Sequence, residues 1–555
     1  MAHIFGPEMD SKTQNILESL TTAKEAAAIM LNCAQNEDVI TFNEIHGMLD
    51  ALVLTLQDSA SLYTNIYDRI TLARRCQSLR GSLDAIYSYQ YSDYEKMLNK
   101  LEFEFIPILE EAYKDFYYQA YVETYPDREE RYFSKEMYKL ASNKYIDESM
   151  KTGVFKYDLS ICVLAYNKIE YTVKCIDALM ENLPEDLNYE LILWDNGSTD
   201  GTVKLFESVK PTKLIESRVN WGSEDIWHRI CEGRYFMHVS NDIVVGPNAV
   251  KNLLETIKSD DSIGKVVPTT PNVSNLQTIE VQYNSMEEMN RFALGNNVYD
   301  PFRHEERTRL CDPIGIWDSI KCFSSQGICP DGYITSTIAF PDDKASLLLR
   351  RRGYKQVLSK DAYCHHFGSV TIKDDVSKRN EELFYAENKR IFKAFFKIDP
   401  WGKGFCYDRS FIDKVVDEKN GHVDILGINC GMGSNSLRIK EQMKEFCHNT
   451  DCTLSNITDE ELYYPDLKGI SNECILISNA GDFEKYLEKR IFDYIVVESV
   501  PDIGIPVDVF LKTVTHHLAE GGKLFIKEDY SMTSWIKSNL KITKRYYKNW
   551  ISCIR

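Results

Sequence analysis

Carboxylates, amides and a tyrosine stand where short apolar runs of this chain end. Leu159 to Leu164 is a nearly unbroken apolar run, and the chain then turns at Ala165, Tyr166 and Asn167. A second run, Leu191 to Trp194, ends in Asp195-Asn196-Gly197-Ser198-Thr199-Asp200. These residue types suit a nucleotide: a tyrosine ring can stack on a base, while Asp195 and Asn196 can bond to a base edge and a ribose. A third run, FMHV, ends in Ser240-Asn241-Asp242. Downstream, Asp342 and Asp343 form an acidic pair after Pro341, and His365 and His366 stand side by side. A carboxylate within hydrogen-bond reach can take the proton of an attacking hydroxyl. Each stretch has a structural reading too. NGST is a turn followed by a helix N-cap, Ser-Asn-Asp can simply end a strand, and aspartates after proline cap helices.

The elements that hold these residues follow from their flanks. A continuous apolar run of this length is expected of a parallel strand covered on both faces. Between the first two runs, Val173, Ile176, Leu179 and Met180 recur at helical spacing. Strand, turn, helix, strand, turn is the unit of an open α/β sheet, which binds nucleotides outside the carboxyl ends of its strands. Another helix and strand follow, then Val219-Asn220-Trp221-Gly222, a weakly patterned helix SEDIWHRICEG, and the strand YFMHVSNDIVV. Pro247 is expected to open the next helix. Residues from about 266 to 331 read as loop-rich with short strands, a length suited to an acceptor-binding insertion.

With these motifs in order, the stretch from about 157 to 395 resembles the family 2 glycosyltransferases of GT-A fold. In that family a YN turn and a DNGSTDG turn recur at about this separation. The resemblance implies uridine binding at Ala165, Tyr166, Asn167, Asp195 and Asn196, with Asn220 and Gly222 matching the family's NxG. It places Asn241 and Asp242 on the family's DxD triplet, of which Asp242, the last aspartate, is retained. There a divalent cation, Mn²⁺ or Mg²⁺, bridges the donor diphosphate and offsets its growing charge. Counting back from Gly353, the family's catalytic base falls on Asp342, with Asp343 beside it. The stretch around His365 and His366 resembles the family's HHFGS, and either histidine is a candidate third metal ligand or diphosphate contact. The reaction implied is inverting: a single displacement from a UDP-sugar (UDP-GlcNAc is one candidate) onto an acceptor hydroxyl, through an oxocarbenium-like state.

The flanks differ in kind. Residues 1–150 are expected to form a helical domain. Ser11 or Thr13 would cap its first helix, Thr41 and Glu44 have capping-box spacing, and further helices are expected over 63–101, 107–121 and 130–150 around a break at Pro126. Its dense tyrosines suit packing, and the domain suits partner contact or a homo-oligomer. Residues 401–420 read as a linker. Residues 421–555 restart an α/β alternation that resembles class I S-adenosylmethionine methyltransferases, with ILGINCGMG on their glycine-rich turn. Gly427 replaces an acidic residue there, Asn429 replaces the first glycine, and the strand CTLSNIT lacks the terminal acid expected on the cofactor ribose. The expectation is a degenerate domain, with S-adenosylmethionine binding unlikely.

The 555 residues are long enough for several domains, and 43% hydrophobic with 27% charged is ordinary for soluble globular protein. A net charge of -19 argues against nonspecific nucleic-acid binding. The N-terminal residues lack a basic and apolar signal pattern, and no run approaches the roughly 20 apolar residues of a membrane span. The fifteen cysteines show no CxxC spacing. A cytoplasmic location with reduced thiols is therefore expected. That membrane reading weighs against polymer-extruding synthases. The flanks resemble bacterial enzymes that modify surface proteins such as flagellin, which points to a serine or threonine acceptor. Two alternatives stand beside it: a bifunctional glycosyltransferase and methyltransferase, and a noncatalytic sugar-binding scaffold.

Overall fold

The computed structural model describes residues 11–36, 38–59, 66–90, 92–106, 108–109, 112–113, 149, 152–216, 231–323, 340–368, 385, 389, 392–393, 396–529 and 532–554. The chain begins with the helices α1 (Ser11–Gln35), α2 (Val39–Ser59), α3 (Ile66–Tyr89) and α4 (Tyr94–Lys100), which runs on into a π-helical turn, Leu101–Phe105. They pack around one apolar core that includes Leu20, Ala27, Leu49, Val53, Leu79 and Leu83. Two expectations shift here. The capping box is not at Thr41, because α2 starts two residues earlier and the Thr41 N–H donates to Asp38 at 3.2 Å. The helix expected over 63–101 breaks near residues 90–93, where the Asp93 side chain caps α4 by accepting from the Lys96 N–H. The helices expected over 107–121 and 130–150, with Pro126, lie almost wholly outside the described residues. Among the described residues one helix, α2, is long and apolar enough by length and composition to cross a membrane, which the sequence reading did not foresee. Its residues Phe42, Ile45, Leu49, Val53 and Leu56 lie three or four apart and are buried in the helical core.

The middle of the chain is a mixed α/β unit around a curled sheet of nine strands. Its elements in order are β1 (Tyr157–Ala165), α5 (Ile169–Asn182), β2 (Tyr189–Asp195), α6 (Thr202–Val209), β3 (Lys213–Glu216), β4 (Gly233–Ser240), β5 (Ile243–Val245), α7 (Ala249–Lys258), β6 (Ile263–Thr269), α8 (Met286–Asn296), β7 (His304–Glu306), β8 (Ile314–Asp318), α9 (Pro341–Arg351) and β9 (Lys355–His366). The strand order is β3-β2-β1-β4-β8-β6-β9-β5, with β7 also on β9. β1 pairs in parallel with both β2 and β4, so chain direction across the sheet reverses between β1 and β4. Such a switch point opens a crevice at the carboxyl ends of its strands. The stretch read as a loop-rich insertion supplies a central strand: β8 lies antiparallel between β4 and β6. IGIWD is too short a run to separate from loop by periodicity.

A second sheet follows, built from β10 (Val423–Ile428), α10 (Ser434–Cys447), β11 (Cys452–Thr458), α11 (Tyr464–Ile470), β12 (Glu473–Leu476), α12 (Ala480–Leu487), β13 (Phe492–Val497), α13 (Val507–His516), β14 (Leu518–Lys527), α14 (Thr533–Asn539), β15 (Lys541–Arg545) and β16 (Trp550–Ile554). Its order is β12-β11-β10-β13-β14-β16-β15. The first five strands are parallel, with a switch point between β10 and β13, and the last two close one edge as an antiparallel hairpin.

Candidate active site

The first two polar turns meet at the carboxyl ends of β1 and β2, where Ala165 pairs with Asp195. The Asn196 N–H donates to the Ala165 carbonyl at 2.7 Å. Asn167 takes a positive φ of 55°, and its side-chain oxygen accepts from the Thr199 N–H at 2.8 Å. Its own N–H donates to the Ser198 hydroxyl at 2.7 Å. Each loop thus fixes the other. Asp195 is buried, and one of its oxygens accepts from the Gly197 and Ser198 N–H groups at 3.1 and 2.9 Å. The other oxygen, also buried, has no hydrogen-bond partner among the described residues. Burial pushes its pKa up, against the Ser198 and Gly197 hydrogen bonds. A buried acceptor without a donor is costly, so a ligand N–H or O–H here would gain that whole cost. Tyr166 beside it is half-buried. Asn220 and Gly222 lie outside the described residues.

At the end of β4 the three polar residues separate in role. The Asn241 N–H donates to the Leu164 carbonyl at 3.1 Å, and its side-chain NH₂ donates to the Asn167 carbonyl and the Thr172 hydroxyl at 3.0 and 2.9 Å. Asn241 therefore braces the Tyr166 turn, and its amide hydrogens are spent on protein. Asp242 is buried with one oxygen 3.3 Å from His366 Nε2. The antiparallel pairing of β5 with β9 sets this, placing Ile243 opposite His366 and Val244 opposite His365.

Adjacent strand residues face opposite sides, and the two histidines accordingly part. His366 joins Asp242, while the His365 Nδ1 bonds the Tyr283 hydroxyl, which also bonds the Tyr363 hydroxyl. The His365 ring stands edge-on to Phe367 at 4.5 Å, and burial, followed by His366, lowers its pKa. Among the described residues no group of three or more His, Cys, Asp and Glu is gathered for a metal. The Asp242–His366 pair fits a divalent cation that takes its other ligands from phosphate oxygens and water, the usual division of labour for such ions.

Asp342 and Asp343 open α9, but in unlike surroundings. Asp343 is buried in a two-pronged ion pair with Arg309, whose Nε bonds one oxygen and whose terminal nitrogen bonds the other at 3.1 Å. It is structural. Asp342 is half-buried, and burial, then the Asp312 carboxyl within hydrogen-bond reach, hold its pKa well above the ordinary carboxylate range. Lys265 and Arg309 pull it the other way.

Behind Asp342 lies a cluster that sequence reading missed. Lys265 is fully buried, donates to Asp312 at 3.1 Å and stands 4.6 Å over the Trp317 ring. The Trp317 indole donates to His238 Nδ1 at 3.2 Å, so the His238 Nε2 carries the proton and donates to the Asp312 carbonyl. Burial brings the His238 pKa down to about 4, which keeps the ring neutral. The Ser240 N–H donates to the Pro313 carbonyl at 2.9 Å and ties this cluster to the Asp242 corner. The available signal was RTRLCDP before IGIWD: two arginines and an aspartate leading into a strand. A charged residue destined for a buried pair looks, in one sequence, like any surface charge.

The switch point of the second sheet is occupied by the chain itself. Lys403 and Gly404 lie across the turn after β10, where their carbonyls accept from the Met432 and Ser434 N–H groups at 2.9 and 3.2 Å. A Cβ on Gly404 would sit 2.2 Å from the Cys430 carbonyl, so only glycine permits that approach. The missing acid of this sheet needs correcting. Asp459 and Glu460 directly follow β11, which was read as ending without one. Both are engaged: Asp459 accepts from the Asn429 amide and the Asp502 N–H at 2.7 and 2.6 Å, and Glu460 pairs with Lys403 at 2.9 Å. The glycine at 427 also has a cause, since a Cβ there would lie 1.9 Å from the Asn456 side-chain oxygen. Buried Glu498, after β13, accepts from Asn435 at 2.6 Å and is pushed up to about 7 by burial.

Comparison with known proteins gives short, low-identity matches. The chain is 29% identical over 121 residues to chondroitin synthase of Escherichia coli, covering 21% of this chain and 17% of that protein. It is 27% identical over 119 residues to poly(ribitol-phosphate) beta-glucosyltransferase of Bacillus spizizenii, covering 20% and 19%. It is 30% identical over 149 residues to teichoic acid poly(glycerol phosphate) polymerase of Staphylococcus epidermidis, covering 24% and 20%. The chain thus spans about a fifth of the length of the curated relatives it matches. Among solved structures, GalNAc-T7 with UDP, GalNAc and Mn²⁺ aligns at 12% identity and TM-score 0.30, covering 38% of this chain and 44% of that one. The mannosyltransferase PcManGT of Pyrobaculum calidifontis, with GDP-Man and Mn²⁺, aligns at 15% and TM-score 0.29, covering 47% and 72%. The family whose model the chain matches is Glycosyl transferase family 2, over residues 160–306, a stretch that takes in both nucleotide-type turns and the Asp242 corner and stops short of Asp342 and the histidine pair.

Proposed function

We propose that this chain is a metal-assisted glycosyltransferase that moves a sugar from a UDP-sugar to an acceptor hydroxyl with inversion. The observation that carries the reading is the switch point between β1 and β4. There the two braced turns, the unpartnered Asp195 oxygen and the Asp242–His366 pair lie inside or beside the stretch matched by the family model. In this reading Tyr166 stacks on uracil, Asp195 accepts from the uracil edge or ribose, and Asn167 and Asn196 hold the turn around them. Asp242 and His366 would hold Mn²⁺ or Mg²⁺, which when bound offsets the charge of the departing diphosphate. Asp342 takes the acceptor proton as the acceptor oxygen bonds the anomeric carbon and the bond to UDP breaks. Its raised pKa suits that work, because a carboxylate poised nearer the working pH is a better base. A base that titrates so high also requires the acceptor to arrive while Asp342 is ionised, helped by Lys265 and Arg309.

The proposed acceptor is a serine or threonine hydroxyl of a bacterial protein such as flagellin. The names of the curated relatives favour a second reading, a glycan or polyol-phosphate hydroxyl. The family match ends before α9, so it carries nothing about the acceptor side. The division proposed is a helical unit over 1–150, a catalytic unit over 151–400, a linker over 401–420 and a methyltransferase-like unit over 421–555. The parallel strand order and switch point of the second sheet support that last likeness. The chain lying over its turn weighs against bound S-adenosylmethionine and so against the bifunctional alternative.

A panel of nucleotide sugars, each with and without Mn²⁺, tests the reading by thermal shift and by release of nucleotide. Ligand that binds the native state raises its apparent stability by mass action. One UDP-sugar is expected to raise the melting temperature with Mn²⁺ and to release UDP. If no nucleotide sugar shifts or turns over, the noncatalytic scaffold reading replaces this one.

A further inference from the structure

Helix α9 carries Asp342 in its first turn and Arg350 and Arg351 in its last. Both arginines end on one residue of the second sheet unit. Arg350 bonds one oxygen of Asp466, and Arg351 bonds the other through Nε and a terminal nitrogen at 3.2 and 2.9 Å. Asp466 lies in α11 and is fully buried. One turn on, Gly469 packs so closely that a Cβ there would lie 2.0 Å from the Arg350 carbonyl.

The same arginine reaches back toward the site. Arg350 donates to the Thr308 carbonyl, which also accepts from the Gln356 amide at 2.7 Å. Thr308 bonds the Phe405 carbonyl at 3.1 Å and the Ser434 hydroxyl, and the next residue, Arg309, holds Asp343. Helix α9 is thus fixed at both ends, by Arg309 on its first turn and by Asp466 on its last.

We infer that Asp466 is a positioning residue for the transfer reaction: by gripping both arginines at the end of α9 it sets where that helix presents Asp342. This rests on the role of Asp342 proposed above. The physical argument is leverage through a rigid rod. Eleven helical residues at about 1.5 Å each span roughly 16 Å, so a shift at one end reaches the other almost undiminished. Misplacement of a reacting group by about 1 Å can cost on the order of a hundredfold in rate. Two guanidinium groups on one carboxylate define direction as well as distance, because each holds a different one of its two oxygens. A plain docking contact would hold the two units together without affecting turnover by the folded protein.

The test uses the full-length chain, the UDP-sugar and Mn²⁺ selected by the panel above, and three variants. Asp466→Asn removes the charge and keeps the shape. Asp466→Glu keeps the charge and restores the pair with a longer arm. Glu445→Gln weakens a different contact between the same units, since Glu445 on α10 pairs with Lys360 on β9 at 2.7 Å, away from α9. For Asp466→Asn we expect kcat to fall about tenfold to a hundredfold. Donor KM should stay within about twofold, and backbone amides of residues 341–351 should exchange hydrogen faster. Asp466→Glu should recover most of the rate, and Glu445→Gln should leave kcat alone. Unchanged kcat in a folded Asp466→Asn protein overturns the inference, as does an equal fall in Glu445→Gln. If the wild type turns over no nucleotide sugar, the proposed function fails on its own. The exchange measurement still reads the clamp, and equal exchange of α9 in wild type and Asp466→Asn refutes it.

Discussion

Replacing Asp312 by asparagine should move the acid limb of the activity profile to lower pH. Asp312 places a second carboxyl within hydrogen-bond reach of Asp342, and it ranks after burial among the causes that hold Asp342 high. The groups around Asp342 are Lys265 from β6, Arg309, Cys311 and Asp312 from the segment before β8, His238 from β4 and Asp343 on its own helix. Two unit charges 4 Å apart at an effective dielectric of 20 interact by about 4 kcal/mol. At about 1.4 kcal/mol per pKa unit that is roughly three units, close to the separation seen in carboxyl pairs that share a proton. Lys265 already offsets part of it, and in the variant it would serve Asp342 alone among these two carboxyls. A downward shift of about one to two units is therefore expected. The assay is kcat/KM for UDP-sugar turnover between pH 4 and 9, whose acid limb reports the essential base of the unbound enzyme. The rate at high pH should also drop, because lowering the pKa of a base weakens it.

Linkage supplies a second sign. A carboxyl whose folded pKa lies above its unfolded value near 3.9 binds more protons folded than unfolded between the two. Its contribution is thus intact below the unfolded pKa and is lost as pH rises through the raised one. The wild-type melting temperature should fall with pH across that window, and the Asp312→Asn variant should fall less steeply. An acid limb that stays in place or moves up would refute the reasoning.

Four other outcomes follow from the same geometry. Asp342→Asn should cut the transfer rate by about 10²- to 10⁴-fold with donor thermal shift unchanged. Asp343→Asn should instead destabilise the fold by about 3–5 kcal/mol in chemical denaturation, because it leaves Arg309 buried without its carboxylate. Asp242→Ala and His366→Ala should each abolish the Mn²⁺-dependent part of the donor thermal shift, whereas His365→Ala should retain it, since its ring is turned to Tyr283. Titration calorimetry with S-adenosylmethionine should show no micromolar binding, because Lys403 and Gly404 cover the β10 turn; a binding energy near -8 kcal/mol would overturn that claim.

What could be read from the sequence, and what could not, divides along a physical line. The polar strand ends were legible because chemistry and position there are local: an apolar run fixes the strand, and the next few residues must be its carboxyl end. β1, α5 and β2 follow from that pattern alone. β8 and β7 did not, because five and three residues carry no period, and their place in the sheet is decided by partners far along the chain. Thr41 misled for a similar reason, since capping-box spacing cannot tell the residue before a helix from one inside its first turn. The strand CTLSNIT was read with the bounds that β11 has, and Asp459 was missed because it stands one residue beyond the strand's end.

The site itself divides the same way. Residues named from motifs stand at strand ends or helix starts, and their own segment puts them there. The residues that set their state come from elsewhere. Arg309 takes up both oxygens of Asp343, Asp312 raises the hold of Asp342 on its proton, and the β5–β9 register turns His366 rather than His365 to Asp242. Taken as a motif, Asp342-Asp343 is a pair of equivalent acids, and His365-His366 a pair of equivalent ligands. In the fold neither pair is equivalent, because adjacent residues point apart and meet different neighbours. The second sheet extends the point beyond one domain. The Met432 and Ser434 N–H groups of its glycine-rich turn already have acceptors at Lys403 and Gly404, and its α11 grips the far end of the helix that bears Asp342. The switch point of this sheet is thus covered by Lys403 and Gly404, and one flank of it holds α9. The physical reason is the same in both places: buried polar groups need partners, and among the described residues they are supplied at the β10 turn and not to the second Asp195 oxygen.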